Sequence, residues 1–286
     1  MNESSPQPTP AINDWLTRAT AELAAAGIPS ARLDAELILS HTLRVSRTAL
    51  HAHPETPLTE RQEDIANARL ALRRDRVPVA YIIGHKEFYG RRFIVTSATL
   101  VPRPESESLI ELLEKVIPRN QSLLRSEPLR LVDVGTGSGI LGITAKLLHP
   151  DELDVTLIDN SRHALAIAKK NAAQLKADCH TLQSDLLASY PFTADIILAN
   201  LPYVDVEWER SPETDHEPAE ALFAGQGGLS LIYELLIQSR THLRAGGHMI
   251  LEADPEQHEK IIAEAKKSQL IHVETDGYGV LLEKIA

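Results

Sequence analysis

Apolar residues recur at three- and four-residue spacing from Ile12 to Ala26, where Ile12, Trp15, Leu16, Ala19 and Leu23 form one stripe and Gly27 follows as a stop. This spacing predicts an amphipathic helix. A second run after Ser30 carries Leu33, Leu37, Ile38 and Leu43, and a third, opened by Thr59 with Glu63, carries Ile65, Leu70 and Leu72. Residues 12–79 therefore read as a small helical bundle, preceded by a polar, proline-rich stretch, residues 1–11, expected to be a disordered tail. From Tyr81 the pattern changes to strand-like pieces, Tyr81-Ile82-Ile83 and Arg92-Phe93-Ile94-Val95, punctuated by Gly84 and Tyr89-Gly90. Residues 80–104 are expected to form a β-hairpin linker. A helix through Leu109, Leu112, Leu113 and Val116 comes next, with Pro118 as its expected end. From Leu129 onward strands (LRLVDV, DVTLID, ADIILAN, HMILEA, VLLEKI) alternate with amphipathic helices. That alternation predicts an α/β domain over residues 105–286, built on a mainly parallel sheet with helices on both faces.

With 43% hydrophobic and 24% charged residues over 286 positions, the composition suits a packed core and excludes a disordered or collagenous chain. Apolar runs such as Ile196 to Ala199 fall far short of the roughly 20 residues a membrane-spanning helix needs. The segment MNESSPQPTP has neither a basic start nor an apolar centre, so no membrane anchorage and no secretory signal are expected. The single cysteine, Cys179, agrees with a reducing cytoplasm. Charge is divided unevenly. Residues 1–80 hold 9 of the 29 Lys+Arg and 10 of the 40 Asp+Glu, leaving 20 and 30, a net −10, for residues 81–286. An acidic α/β half repels a phosphate backbone, so free DNA is not an expected partner. His51-Ala52-His53 is not accompanied by an HExxH or Cys/His cluster, and no metal site is expected.

The join between the first strand and helix of the α/β domain reads Asp133-Val134-Gly135-Thr136-Gly137-Ser138-Gly139. Glycines at such a join let the backbone approach a ligand, but the dinucleotide fingerprint fails because Ile140 stands where its third glycine belongs. The spacing D-x-G-x-G-x-G is instead that of S-adenosylmethionine-dependent methyltransferases. Asp159 ends the next strand, where an acid accepts ribose hydroxyls. Asp185 follows the next apolar piece and is placed to accept an adenine amino group. The fourth strand delivers Asn200-Leu201-Pro202-Tyr203, similar to the tetrad of enzymes that methylate planar, conjugated NH2 groups. Such a nitrogen has a delocalised lone pair and reacts only when its hydrogens are held by acceptors. The Asn200 side-chain oxygen and the Leu201 carbonyl supply two, Pro202 stiffens the loop, and Tyr203 offers a flat face, without need of a strong base.

ARLDAELIL, PVAYIIGHKEFYG, VPRPESE, DVGTGSG, NLPY and HEPAEALFAGQGGL together resemble, in order, segments of the release-factor glutamine N5-methyltransferases. The resemblance spans nearly everything after the tail. It implies a Rossmann-like, seven-stranded class I methyltransferase domain preceded by a helical substrate-recognition domain. The implied reaction moves a methyl group from S-adenosylmethionine, leaving S-adenosylhomocysteine, to the Gly-Gly-Gln glutamine of peptide chain release factors; a monomer acting in the cytoplasm is expected. Gly135, Thr136, Gly137, Ser138, Gly139, Asp159, Asp185, Leu186 and Asn200 are the implied cofactor residues. Asn200, Leu201, Pro202 and Tyr203 hold the glutamine, with Asn200, Pro202 and Tyr203 as the catalytic set. The family usually has Pro where this chain has Leu201, and an aromatic where it has Leu186. Two alternatives use a similar tetrad: glutamine methylation of a ribosomal protein, and N6-adenine methylation of RNA. A non-enzymatic cofactor-binding sensor is opposed by the presence of Asn200, Pro202 and Tyr203 together.

Overall fold

Ile196 and Leu198 of one strand face one apolar cluster while Ile197 and Ala199 face another. This division explains why the ADIILA segment is apolar at nearly every position: a strand covered on both sides has no polar face. The computed structural model describes residues 9–121 and 127–285. Two compact units are present, one comprising the chain up to Gly84 together with Ser211–His216, the other His85–Arg210 with Glu217–Ala286.

The first unit is helical: α1 (Ile12–Ala25), α2 (Ala31–Leu43), α3 (Arg47–Ala52), α4 (Glu60–Arg74) and α5 (Val79–Ile83). Ile12, Trp15, Leu16, Ala19 and Leu23 of α1 are all buried, as the spacing requires. Elsewhere the apolar stripe is displaced. Leu33, Ile65 and Leu72 are exposed, whereas Asp34 and Glu36 are buried. Arginines make this possible: Arg73 Nε donates to Asp34 at 2.7 Å, and Arg32 and Arg47 both donate to Glu36. The capping box of α4 pairs Thr59 with Gln62, three residues on, rather than with Glu63. Of the expected tail, residues 1–8 lie outside the described residues, while Ala11 is bridged to Pro57. Tyr81-Ile82-Ile83 is a helical turn rather than a strand, because Pro78 opens it and Gly84, left-handed at φ 75°, closes it.

In the second unit, β1 (His85–Phe88) and β2 (Arg91–Ile94) form a hairpin through Tyr89 and Gly90, both at positive φ as a two-residue hairpin turn demands. α6 (Glu107–Gln121) runs past Pro118, which removes a single backbone donor from a helix held by buried Leu109, Leu112, Leu113 and Val116. There follow β3 (Leu129–Val134), α7 (Ile140–Leu148), β4 (Leu153–Asp159), α8 (Arg162–Leu175), β5 (Cys179–Gln183) and β6 (Ala194–Ala199). The chain closes with α9 (Ser230–His242), β7 (Leu243–Glu252), α10 (His258–Ala265), β8 (Leu270–Asp276) and β9 (Gly279–Lys284). These strands make one seven-stranded sheet in the order β5-β4-β3-β6-β7-β9-β8. β5, β4, β3, β6 and β7 are parallel, and β9 runs antiparallel to both its neighbours. Strand order reverses at β3, which lies between β4 and β6. The carboxyl ends of these three strands therefore border a switch-point crevice, the usual ligand position in open α/β sheets.

Candidate active site

The crevice is an open cleft. Gly135, Thr136, Gly137 and Ser138 line it after β3, Asp159 after β4, Asp185 and Leu186 after β5, and Asn200, Leu201 and Pro202 after β6. Gly139 and Tyr203 do not line it. Gly139, at φ 87°, turns the chain into α7, and a Cβ there would stand 2.5 Å from the Ile143 side chain. The Tyr203 hydroxyl points away to Glu252, donating at 3.1 Å.

Asp133 anchors the glycine loop from within. Its Oδ2 accepts from Thr136 Oγ1 at 2.6 Å and from the Gly142 amide at 2.9 Å. Burial pushes its carboxyl up to about 6 against those hydrogen bonds. Its Oδ1 is buried without a hydrogen-bond partner. Asp159 is tied to the same loop, its Oδ2 accepting from the Gly137 amide at 2.9 Å and its Oδ1 from the Ser161 amide at 2.8 Å. Burial raises its pKa and the backbone donors pull it back in part. Gly135 must be glycine: it sits at φ 71°, and a Cβ would lie 2.8 Å from the Leu201 side chain. Leu186 is held left-handed at φ 46° although it is not glycine, the kind of strain that concentrates at ligand sites.

Several residues around the cleft escaped the sequence reading. Asn171 of α8, fully buried, donates to Ser138 O at 2.8 Å and exchanges two hydrogen bonds with Ile94, so the hairpin supports the glycine loop. Glu217 accepts from the Val101 amide at 2.9 Å and from Arg103, a cleft residue, which stitches the VPRPESE and HEPAEAL segments together. Gln257 donates to the carbonyls of Tyr203 and Gly227, each at 2.8 Å. Behind the tetrad, Asn200 Nδ2 donates to Glu252 at 2.8 Å and to Ser106 at 3.0 Å. The only sequence signal for Glu252 is an acid ending an apolar strand. Among the described residues no cluster of His, Cys, Asp and Glu is arranged to hold a metal ion, and no helix is long and apolar enough to cross a membrane.

Residues 14–84 match the family model of the PrmC N-terminal domain, and residues 110–217 match that of the methyltransferase small domain. A methyltransferase from Pyrococcus furiosus superposes with a TM-score of 0.50 at 15% identity, over 80% of this chain and 100% of that one. The Thermus thermophilus 16S rRNA N2 G1207 methyltransferase superposes with a TM-score of 0.50 at 20% identity, over 71% of this chain and 50% of that one. These likenesses establish the class I methyltransferase fold. Closer in sequence is the release factor glutamine methyltransferase of Koribacter versatilis, 40% identical over 82% of this chain and 84% of the relative. That of Deinococcus radiodurans is 35% identical over 89% and 90%, and that of Escherichia coli is 34% identical over 86% and 87%. Neither the RNA nor the ribosomal-protein alternative is favoured by these relatives, and with such identity spread across both the helical and the α/β unit, the chain belongs to the release factor glutamine methyltransferases.

Proposed function

We propose that the protein transfers the methyl group of S-adenosylmethionine to the side-chain amide nitrogen of the glutamine in the Gly-Gly-Gln motif of peptide chain release factors. The observation that carries this reading is the convergence of the glycine loop, Asp159 and the Asn200-Leu201-Pro202 corner on one cleft. S-adenosylmethionine supplies an electrophilic methyl group on a sulfonium centre. The residues present suit it. Gly135 leaves backbone where a side chain would crowd the Leu201 corner, the partnerless Asp133 Oδ1 would accept from its ammonium group, and Asp159 retains free lone pairs for ribose hydroxyls. Asp185 and Leu186, which line the cleft, would flank the adenine.

Asn200 Oδ1 and the Leu201 carbonyl accept the two N–H groups of the glutamine amide and turn its nitrogen toward the methyl group. Orientation of this kind converts a bimolecular encounter into a near-unimolecular step. Pro202 limits the movement of the corner. Residues 12–79 form the surface that recognises the body of the release factor, the enzyme acts in the cytoplasm, and it works as a monomer.

The test is mass spectrometry of release factor incubated with purified protein and S-adenosylmethionine. One added methyl group on the Gly-Gly-Gln glutamine is expected. Its absence, or methyl label in RNA or a ribosomal protein instead, would overturn the reading. Asn200→Ala should lower turnover about a hundredfold or more while changing cofactor binding much less.

A further inference from the structure

Glu252 ends β7 beside the corner that follows β6, and only 2% of its surface is exposed. Its hydrogen-bond partners, Asn200 and Tyr203, are both uncharged. A buried carboxylate without a cation is costly, and burial raises its pKa although the polar groups of Ser106 and Tyr203 beside it oppose the rise. Packing does not explain an anion here, since a glutamine would fill the same space.

The geometry of Asn200 supplies the reason. A terminal amide has two N–H donors on one atom and an acceptor on the other, and rotation by half a turn exchanges them at little steric cost. Both donors of Asn200 are committed, one to Glu252 Oε2 at 2.8 Å and one to Ser106 Oγ at 3.0 Å. The reversed amide would set Oδ1 against the carboxylate, anion lone pairs facing carbonyl lone pairs. The other oxygen of Glu252 accepts from the Tyr203 hydroxyl at 3.1 Å, holding the second polar member of the tetrad.

We infer that Glu252 is a positioning residue that forces Asn200 to present its oxygen, and never its NH2, to the cleft, so that the site selects substrates whose reacting nitrogen carries N–H donors. This rests on the reading of the tetrad given above. In its ionised form Glu252 also polarises the amide and strengthens Oδ1 as an acceptor. Serine at 106 is the second half of the device, because it occupies the remaining donor.

Glu252→Gln separates charge from shape. Its neutral amide can donate to or accept from Asn200, so both Asn200 orientations become available. With release factor as substrate, kcat should fall about tenfold or more, with KM changed less than threefold. S-adenosylhomocysteine affinity by calorimetry should stay within twofold. In an Asn200→Ala background, Glu252→Gln should have no further effect on kcat, since it acts through Asn200. Wild-type kcat in Glu252→Gln, or an equal additional loss in the Asn200→Ala background, would overturn the inference. If Glu252→Gln does not fold, Glu252→Asp, which withdraws the carboxylate from Asn200, is read by the same kcat and affinity criteria, and an unchanged kcat overturns the inference. Failure of the wild type to methylate the glutamine at all would instead count against the function proposed for the tetrad.

Discussion

Gly228 packs its bare α-carbon against the tetrad so closely that a Cβ there would stand 1.9 Å from the Tyr203 carbonyl oxygen. The backbone is left-handed at this point, φ 82°, so glycine is required both for conformation and for space. The same carbonyl accepts from Gln257, which also holds Gly227, and the GQGG turn, the tetrad and the start of α10 are thereby locked together.

Gly228→Ala should therefore displace the Tyr203 carbonyl and with it the substrate corner. The expected outcome is a loss of turnover of about tenfold or more, with S-adenosylhomocysteine affinity nearly kept, because the glycine loop after β3 is untouched. Steady-state kinetics beside calorimetry separate the two. A variant as active as the wild type would show that the corner tolerates the shift.

Asp159 bears on the cofactor side. It already accepts from the Gly137 and Ser161 amides. Asp159→Ala removes these acceptors along with those offered to the ribose, leaving donors unpaired in a buried place. A loss of about 1–3 kcal/mol in S-adenosylmethionine binding is expected, roughly fivefold to a hundredfold in Kd. Calorimetry checks it, and an unchanged Kd would remove Asp159 from the cofactor site.

The parts that were legible in the sequence are those whose signal is local. The stripe of α1, the apolar β3, β4 and β6, and the glycines at positive φ each declare themselves within a few residues. β8, an edge strand with mostly half-exposed or exposed positions, carries polar residues along LIHVETD and gave no strand signal. Partners far apart in the chain were invisible. Glu252 lies 52 residues from Asn200, and Asn171 lies 77 from Ile94. A polar residue inside an apolar element reads as an exception until its distant partner is known, and here those exceptions support the site.

Glu213 gives a pH dependence. Burial alone would raise its carboxyl, but hydrogen bonds from Ser211, Arg73 and Arg76 outweigh that and hold it down to about 2, against an ordinary 4.5. Arg73 and Arg76 reach it at 2.9 and 3.1 Å, all three residues belonging to the helical unit. A carboxyl with a depressed folded pKa stabilises fully above its unfolded pKa and loses that contribution as pH falls through the folded one. The difference in unfolding free energy between the wild type and Glu213→Gln should be about 1–3 kcal/mol at pH 7 and should vanish between about pH 4.5 and 2. Urea denaturation of both proteins across that range checks it. A difference that did not change with pH would mean the charge of Glu213 contributes nothing.

The loop after the tetrad, Val204 to Glu220, reads in sequence as a uniformly acidic surface: Asp205, Glu207, Glu209, Glu213, Asp215, Glu217 and Glu220 against Arg210. The structure divides it. Glu213 is neutralised by two arginines and Glu217 is buried against Arg103, so neither offers free charge to a partner. Glu207 and Glu209 remain exposed. A release-factor loop that enters an RNA-lined catalytic centre is expected to be basic around its glutamine, and complementary charge of this kind acts on the encounter rate more than on the final complex. Replacing Glu207 and Glu209 together by Gln should lower the association rate of intact release factor severalfold at low ionic strength. The defect should shrink as added salt shortens the screening length from about 30 Å at 0.01 M to about 8 Å at 0.15 M. Methylation of a short Gly-Gly-Gln peptide should suffer less, because a peptide carries less charge to steer. Stopped-flow association across a salt series decides it, and a double variant that binds intact factor at the wild-type rate in low salt would leave recognition to the helical unit alone.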